Sequence, residues 1–126
     1  MIKAMLDTNI LIHATRNGPP EILERLARFR KGEIVISSIA WAEYCVGAHK
    51  LGIDNSPVEK LIDILPFDAG AGNTYGMLTA KHSDRASGFD RLVAAHAIAV
   101  GVTLVTNNPV DFALYLDDGL AVENWV

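Results

Sequence analysis

Met5-Leu6-Asp7-Thr8-Asn9-Ile10-Leu11-Ile12 is the stretch on which the reading of this chain turns. An apolar run from Met1 to Leu6, broken only by Lys3, stops at a carboxylate, and a new apolar run starts two residues later. This reads as a buried strand, a tight turn and a helix start. Asp7 then stands at the carboxyl end of the first strand, the edge at which open parallel α/β sheets bind ligands. Asp7 is equally well placed to be a helix N-cap, and these eight residues do not separate the two roles.

Outward from there, the chain alternates strand-like and helix-like runs. Ile10–Arg16 reads as a short helix broken by Gly18-Pro19-Pro20, and Glu21–Lys31 as a second one. Ile22, Leu23, Leu26 and Phe29 have helical spacing, and Arg25, Arg28, Arg30 and Lys31 form a solvated basic face. Glu33–Ser37 is a β-branched strand, and Ser37-Ser38 opens a helix towards Leu51 that carries Trp41, Glu43 and Tyr44. Ser56–Leu65 is predicted as a helix, Pro66-Phe67-Asp68 as an edge strand and Ala69–His82 as a helix despite its glycines. Ser83–Gly88 is a loop, Phe89–Val100 a buried Ala-rich helix and Val102–Val105 a strand. Asn107-Asn108-Pro109 leads into a short helix, and Leu120-Ala121-Val122 is the last strand. The order βααβααβααβαβ predicts an α/β sandwich, a mostly parallel central sheet flanked by helices, within one domain spanning 1–126.

With 126 residues, half of them apolar, the chain fills one domain with a sizeable core. No apolar run is long enough to cross a bilayer, and Asp7 and Asn9 interrupt any signal-type segment. The single Cys45 cannot form an internal disulfide and suits a reducing cytoplasm. A net charge of -4 argues against a broad basic surface gripping long duplexes.

Of the fifteen carboxylates, Asp7, Glu43 and Asp90 stand beside apolar runs, where charge is costly. Asp111 joins them, with Asn107 and Asn108. All can converge on one end of one sheet. Each has a local alternative: Ser87-Gly88-Phe89-Asp90 and Asn108-Pro109-Val110-Asp111 both match a capping box, and Glu43 fits an exposed helix position. Convergence of three or four acids requires cations, and hard oxygen donors select Mg²⁺ or Mn²⁺. Such ligands of shared ions are expected within roughly 4–8 Å of one another. The four histidines show no metal spacing, and His96 reads as a packing residue. Trp41, Tyr44 and Trp125 read as core or interface residues. The chain has no Gly-rich phosphate loop and no nucleophile elbow.

These positions, taken together, resemble the PIN domains, and among them the VapC-type toxins of bacterial toxin-antitoxin pairs. The resemblance rests on Met5-Leu6-Asp7-Thr8-Asn9-Ile10, Ile39-Ala40-Trp41-Ala42-Glu43, Gly88-Phe89-Asp90 with Val93–Ala97, Leu104–Asn108 with Asp111-Phe112, and Val122-Glu123-Asn124-Trp125. It implies a Mg²⁺-dependent endoribonuclease, neutralised by a cognate antitoxin and dimeric. Asp7 and Asp90 would be the principal metal ligands, with Glu43 completing the acidic triad. The fourth polar position falls on Asn107-Asn108, which leaves a charge for Asp111 to supply. Thr8, Asn9 and Thr106 would support the ligands or contact phosphate. A receiver domain is disfavoured by Thr8-Asn9 after Asp7, and a haloacid-dehalogenase-type phosphatase by Asn9 where a second Asp is needed. The remaining alternative is an idle PIN scaffold that only binds a partner. Apolar helix sides near Trp41, Tyr44 and Leu61 are expected to stay partly unburied in one small domain, which predicts a symmetric homodimer and a groove that takes an amphipathic antitoxin segment.

Overall fold

In the structure, a computed structural model describing residues 1–16 and 18–125, five strands form one sheet in the order β3-β2-β1-β4-β5, and every pairing is parallel. The strands are β1 (Ala4–Leu6), β2 (Ile34–Ser37), β3 (Asp63–Leu65), β4 (Thr103–Val105) and β5 (Val122–Glu123). They alternate with α1 (Thr8–Thr15), α2 (Pro20–Leu26), α3 (Ser38–Lys50), α4 (Ser56–Leu61), α5 (Ala69–Lys81), α6 (Phe89–Val100) and a 3₁₀ helix, Pro109–Asp118. The element order is the one the sequence predicts. Among the described residues no helix is long and apolar enough to cross a membrane.

The sheet explains why the central runs lack alternation. β1 and β2 are buried at every position because helices cover both faces of a parallel sheet. Chain progression reverses direction at β1, whose neighbours are β2 on one side and β4 on the other. That reversal opens a crevice beyond the carboxyl ends of the strands. Leu6 pairs with Ile36 and with Val105, so Ser37, Asp7 and Thr106 stand level at that edge. Against the sheet lies α6, whose Val93, Ala94, Ala95 and Ala97 are all buried. Small side chains let its backbone approach the strands closely. Gly101, with φ of +78°, ends the helix in a left-handed conformation that a side chain would strain.

Several boundaries differ from the sequence reading, α1 starting at Thr8 rather than Ile10 among them. α2 stops at Leu26, and Ala27–Gly32 continues as turns; the Glu33 carboxylate accepts from Arg30 N at 2.7 Å and holds the chain out of a helix. α4 stops at Leu61, because Asp63–Leu65 pairs with Val35–Ser37 as the edge strand, so Pro66-Phe67-Asp68 lies beyond it. Local periodicity cannot register that pairing. The last strand sits at Val122–Glu123 rather than Leu120–Val122, in register with Leu104 and Val105.

Candidate active site

Asp7 is 6% exposed, stands at the carboxyl end of β1 and is the N-cap of α1. One carboxylate oxygen accepts from Thr8 N at 2.8 Å, capping α1. The other accepts from Thr106 Oγ1 at 2.9 Å, across the β1–β4 seam. Asn108 N donates to Thr106 Oγ1 at 3.0 Å, which fixes that hydroxyl's orientation. On the other side Thr8 Oγ1 reaches Glu43 Oε1 at 3.1 Å and Ala40 O at 3.4 Å. A continuous chain of hydrogen bonds therefore runs from the end of β4 through Asp7 and Thr8 to Glu43 on α3. Glu43, Asp90 and Asp111 line an open cleft of about 830 Å³, walled also by Arg85, Phe89 and Tyr115.

The four acids act on one another. Burial, and next the charge of Asp111, hold the Asp7 carboxyl above the usual range, against hydrogen bonds from Thr106 and Thr8 that pull it down. Glu43 is raised by burial and then by Asp7 and Asp90, against the Thr8 hydroxyl. Asp90 is raised by burial and then by Asp7 and Asp111, with nothing opposing. Among the described residues no Lys, Arg or His forms an ion pair with any of the four.

Such a set is suited to a hard divalent cation. All its donors are carboxylate oxygens, and their repulsion is relieved only by positive charge. Among the described residues no three His, Cys, Asp or Glu side chains already stand together as a metal cage.

The two capping boxes are not realised. Gly88 occupies the N-cap of α6 without a side-chain bond, and the Ser87 hydroxyl pairs instead with Tyr75 on α5. Asn108 caps the 3₁₀ helix by position alone. Asn107 turns from the cleft: Nδ2 meets His13 Nε2 at 3.0 Å, and Oδ1 is buried with no hydrogen-bond partner. Neither Asn107 nor Asn108 lines the cleft, and Asn9 makes no described hydrogen bond to the acids. His96 is the packing residue expected, with Nδ1 2.7 Å from Ser37 Oγ and burial lowering its pKa. Tyr44 is buried rather than presented for a partner, stacked on Trp41 at 5.4 Å.

Arg91 escaped the sequence reading. It is 1% exposed, and its guanidinium donates to Tyr115 Oη at 3.1 Å, Thr79 Oγ1 at 3.5 Å and the carbonyls of His82, Arg85 and Ala86 at 3.4–3.5 Å. It thereby ties the loop before Asp90 to α5 and to the 3₁₀ helix. The available signal was a lone arginine inside the apolar run of α6.

Comparison with known proteins gives the family and the fold. A family model described as PIN domain matches residues 4–114. The chain is 36% identical to the tRNA(fMet)-specific endonuclease VapC of Shigella flexneri, covering 99% of each chain. It is 33% identical to Ribonuclease VapC2 of Haemophilus influenzae over the whole of both. Among solved structures, the DNA-bound VapBC complex of Salmonella typhimurium superposes with a TM-score of 0.86 at 29% identity, with both chains fully covered. VapBC2 of Rickettsia felis, bound to a fragment of its promoter, gives 0.80 at 33% identity, again over both full chains.

Proposed function

The chain belongs to the PIN-domain family, and from that premise we propose that Asp7, Glu43 and Asp90, with Asp111, form the catalytic site of a VapC-type endoribonuclease. The observation that carries the assignment is the group of four interacting carboxylates at the carboxyl edge of a parallel sheet, with no cation paired to them among the described residues.

PIN nucleases depend on metal, and Mg²⁺ or Mn²⁺ is the ion that this oxygen-only donor set suits. Asp7, Asp90 and Asp111 would hold it, with Glu43 beside them. Such an ion lowers the pKa of a bound water and neutralises charge on the phosphoryl oxygens. Thr8 N and Thr106 Oγ1 keep Asp7 in one orientation, so it is presented rigidly. Thr8 occupies Oε1 of Glu43 and leaves Oε2 without a protein donor among the described residues. With its pKa raised, Glu43 Oε2 is a proton acceptor for the attacking water.

Purified protein should cleave RNA in Mg²⁺ or Mn²⁺ and not in EDTA. Initiator tRNA belongs first in the panel, since two of the relatives are named for tRNA(fMet). Tight antitoxin binding without cleavage of any RNA in the panel would favour the idle scaffold instead.

The antitoxin needs its own seat. An apolar groove between α1, α2 and α4 is lined by Leu23, Leu26, Phe29, Val58 and Leu61 and rimmed by Arg30, Lys31 and Lys60. Leu61 is 76% exposed there. Apolar floor and basic rim together fit an amphipathic segment with acidic flanks. Leu61→Glu should leave the fold intact and weaken antitoxin affinity roughly 10-fold or more in titration calorimetry. Unchanged affinity would remove the antitoxin from this groove. Homodimerisation is part of the same reading, with Val46, Leu51 and Ile53 as apolar surface exposed towards the end of α3. So is a cytoplasmic location, where both RNA and a reduced Cys45 are found.

A further inference from the structure

We propose that Arg85 and Phe89, on the wall of the acidic cleft, form the subsite for an unpaired nucleotide next to the scissile bond. The guanidinium takes its phosphate and the phenyl ring its base. This rests on the reading of the cleft as a ribonuclease site.

The first argument is charge. RNA must bring several phosphates near Glu43, Asp90 and Asp111. An ion held by those acids compensates at the bond being cut but not at the neighbouring phosphate. Among the described residues only two cations line the cleft, Arg85 and Arg91. Arg91 is buried and its donors are committed to Tyr115, Thr79 and three carbonyls. Arg85 is the opposite case. Its side chain is 64% exposed and among the described residues pairs only with the exposed Asp84, whose Oδ2 lies 3.9 Å from Nε. The two Nη groups of its planar fork, with four donors, are thus available to a phosphate.

The second argument is order. Arg85 N donates to His82 O at 3.0 Å, and Arg85 O accepts from Arg91 Nη2 at 3.4 Å. Ser87 is bonded to Tyr75, and His82 Nε2 lies 2.9 Å from Asp118. The loop is therefore pinned on both sides of Arg85. Its exposed head extends from a fixed root, which lowers the entropy lost when it grips a ligand.

The third argument is the exposed aromatic. Phe89 is 56% exposed on the cleft wall, beside Asp90 in sequence, at the first position of α6. The core does not account for a ring in that place. Single-stranded RNA is held where bases stack on aromatic rings while cations track the backbone. Arg85 and Phe89 supply one of each, on the same wall.

The test uses the full-length chain and the RNA that the wild type cleaves in the panel above. Arg85→Gln should raise KM, leave kcat at saturating RNA nearly unchanged, and reduce the slope of log KM against log salt by about 0.7, the loss of one phosphate contact on a single strand. Arg85→Lys should restore most of that slope. Phe89→Ala should raise KM about 5- to 150-fold, Phe89→Trp should not, and an abasic ribose at the stacked position should cost the Phe89→Ala variant nothing more. Wild-type cleavage with unchanged KM and salt slope in both variants would overturn the subsite while leaving the nuclease intact. Phe89→Ala that weakens self-association in sedimentation, with KM unchanged, would make this wall a protein interface and also overturn it. A wild-type chain that cuts no RNA would defeat the ribonuclease reading itself, and this inference with it.

Discussion

Asp90→Ala should melt no lower than the wild-type chain in EDTA, lose the stabilisation that excess Mg²⁺ confers, and cleave RNA at least about 100-fold more slowly. As an acid in the first turn of α6, Asp90 gains about 0.3–1 kcal/mol from the helix dipole. Against that stand burial and the charges of Asp7 and Asp111, and the raised pKa shows that the ionised form is disfavoured on balance. No capping bond is lost, since Ser87 is engaged with Tyr75 and not with α6. In metal, the wild type should gain about 2.7 kcal/mol at an ion concentration 100-fold above Kd, a gain that exists only if the folded state holds the ion.

The same variant should flatten the pH dependence of the metal-free melt. A carboxyl whose folded pKa is raised contributes stability that is present below its unfolded value and lost as pH rises through the folded one. Asp7, Glu43 and Asp90 are all of this kind. In EDTA these three should stabilise the wild type as pH falls from neutral towards the ordinary carboxylate range, against His96, whose lowered value costs stability as pH falls below the ordinary imidazole range. Glu33, Asp54 and Asp118 have lowered values, and their contribution is lost as pH falls from that range through those lowered values. A variant that melts lower in EDTA yet keeps the full Mg²⁺ shift would remove Asp90 from the metal site.

Arg91→Met should cost about 2–4 kcal/mol in stability, the largest loss expected from any one change near the cleft. The cause is the set of acceptors left behind: the Tyr115 hydroxyl in a buried place and the carbonyls of His82, Arg85 and Ala86 in part-buried ones lose their donor. Arg91→Lys should recover only part, because an ammonium cannot span acceptors on α5, the loop and the 3₁₀ helix at once. Denaturant unfolding measures the loss, and hydrogen exchange should localise faster opening to 82–88. A loss below about 0.5 kcal/mol, the range of ordinary surface changes, would show that the loop stands without Arg91.

Much of this protein follows from local sequence. The apolar runs ending at Leu6, Ile36 and Val105 define three strands, because only burial on both faces tolerates such continuous hydrophobicity. The helix-period runs between them define the crossovers, and right-handed crossovers leave few sheet orders open. Asp7, Glu43 and Asp90 stood out because each places a carboxylate against apolar neighbours, where charge is costly. Tertiary structure alone decided what depends on partners distant in sequence. β3 exists at Asp63–Leu65 because β2 offers it hydrogen bonds, so a helical pattern was overridden. Asp7 and Thr106 are 99 positions apart, and only the β1–β4 pairing brings the hydroxyl to the carboxylate. Asn107 left the acids because His13, on another element, holds its amide. Arg91 became a buried hub because carbonyls from a loop and side chains from two helices converge on it. A charge inside an apolar run signals in sequence only that some partner must exist, and the fold determines which one.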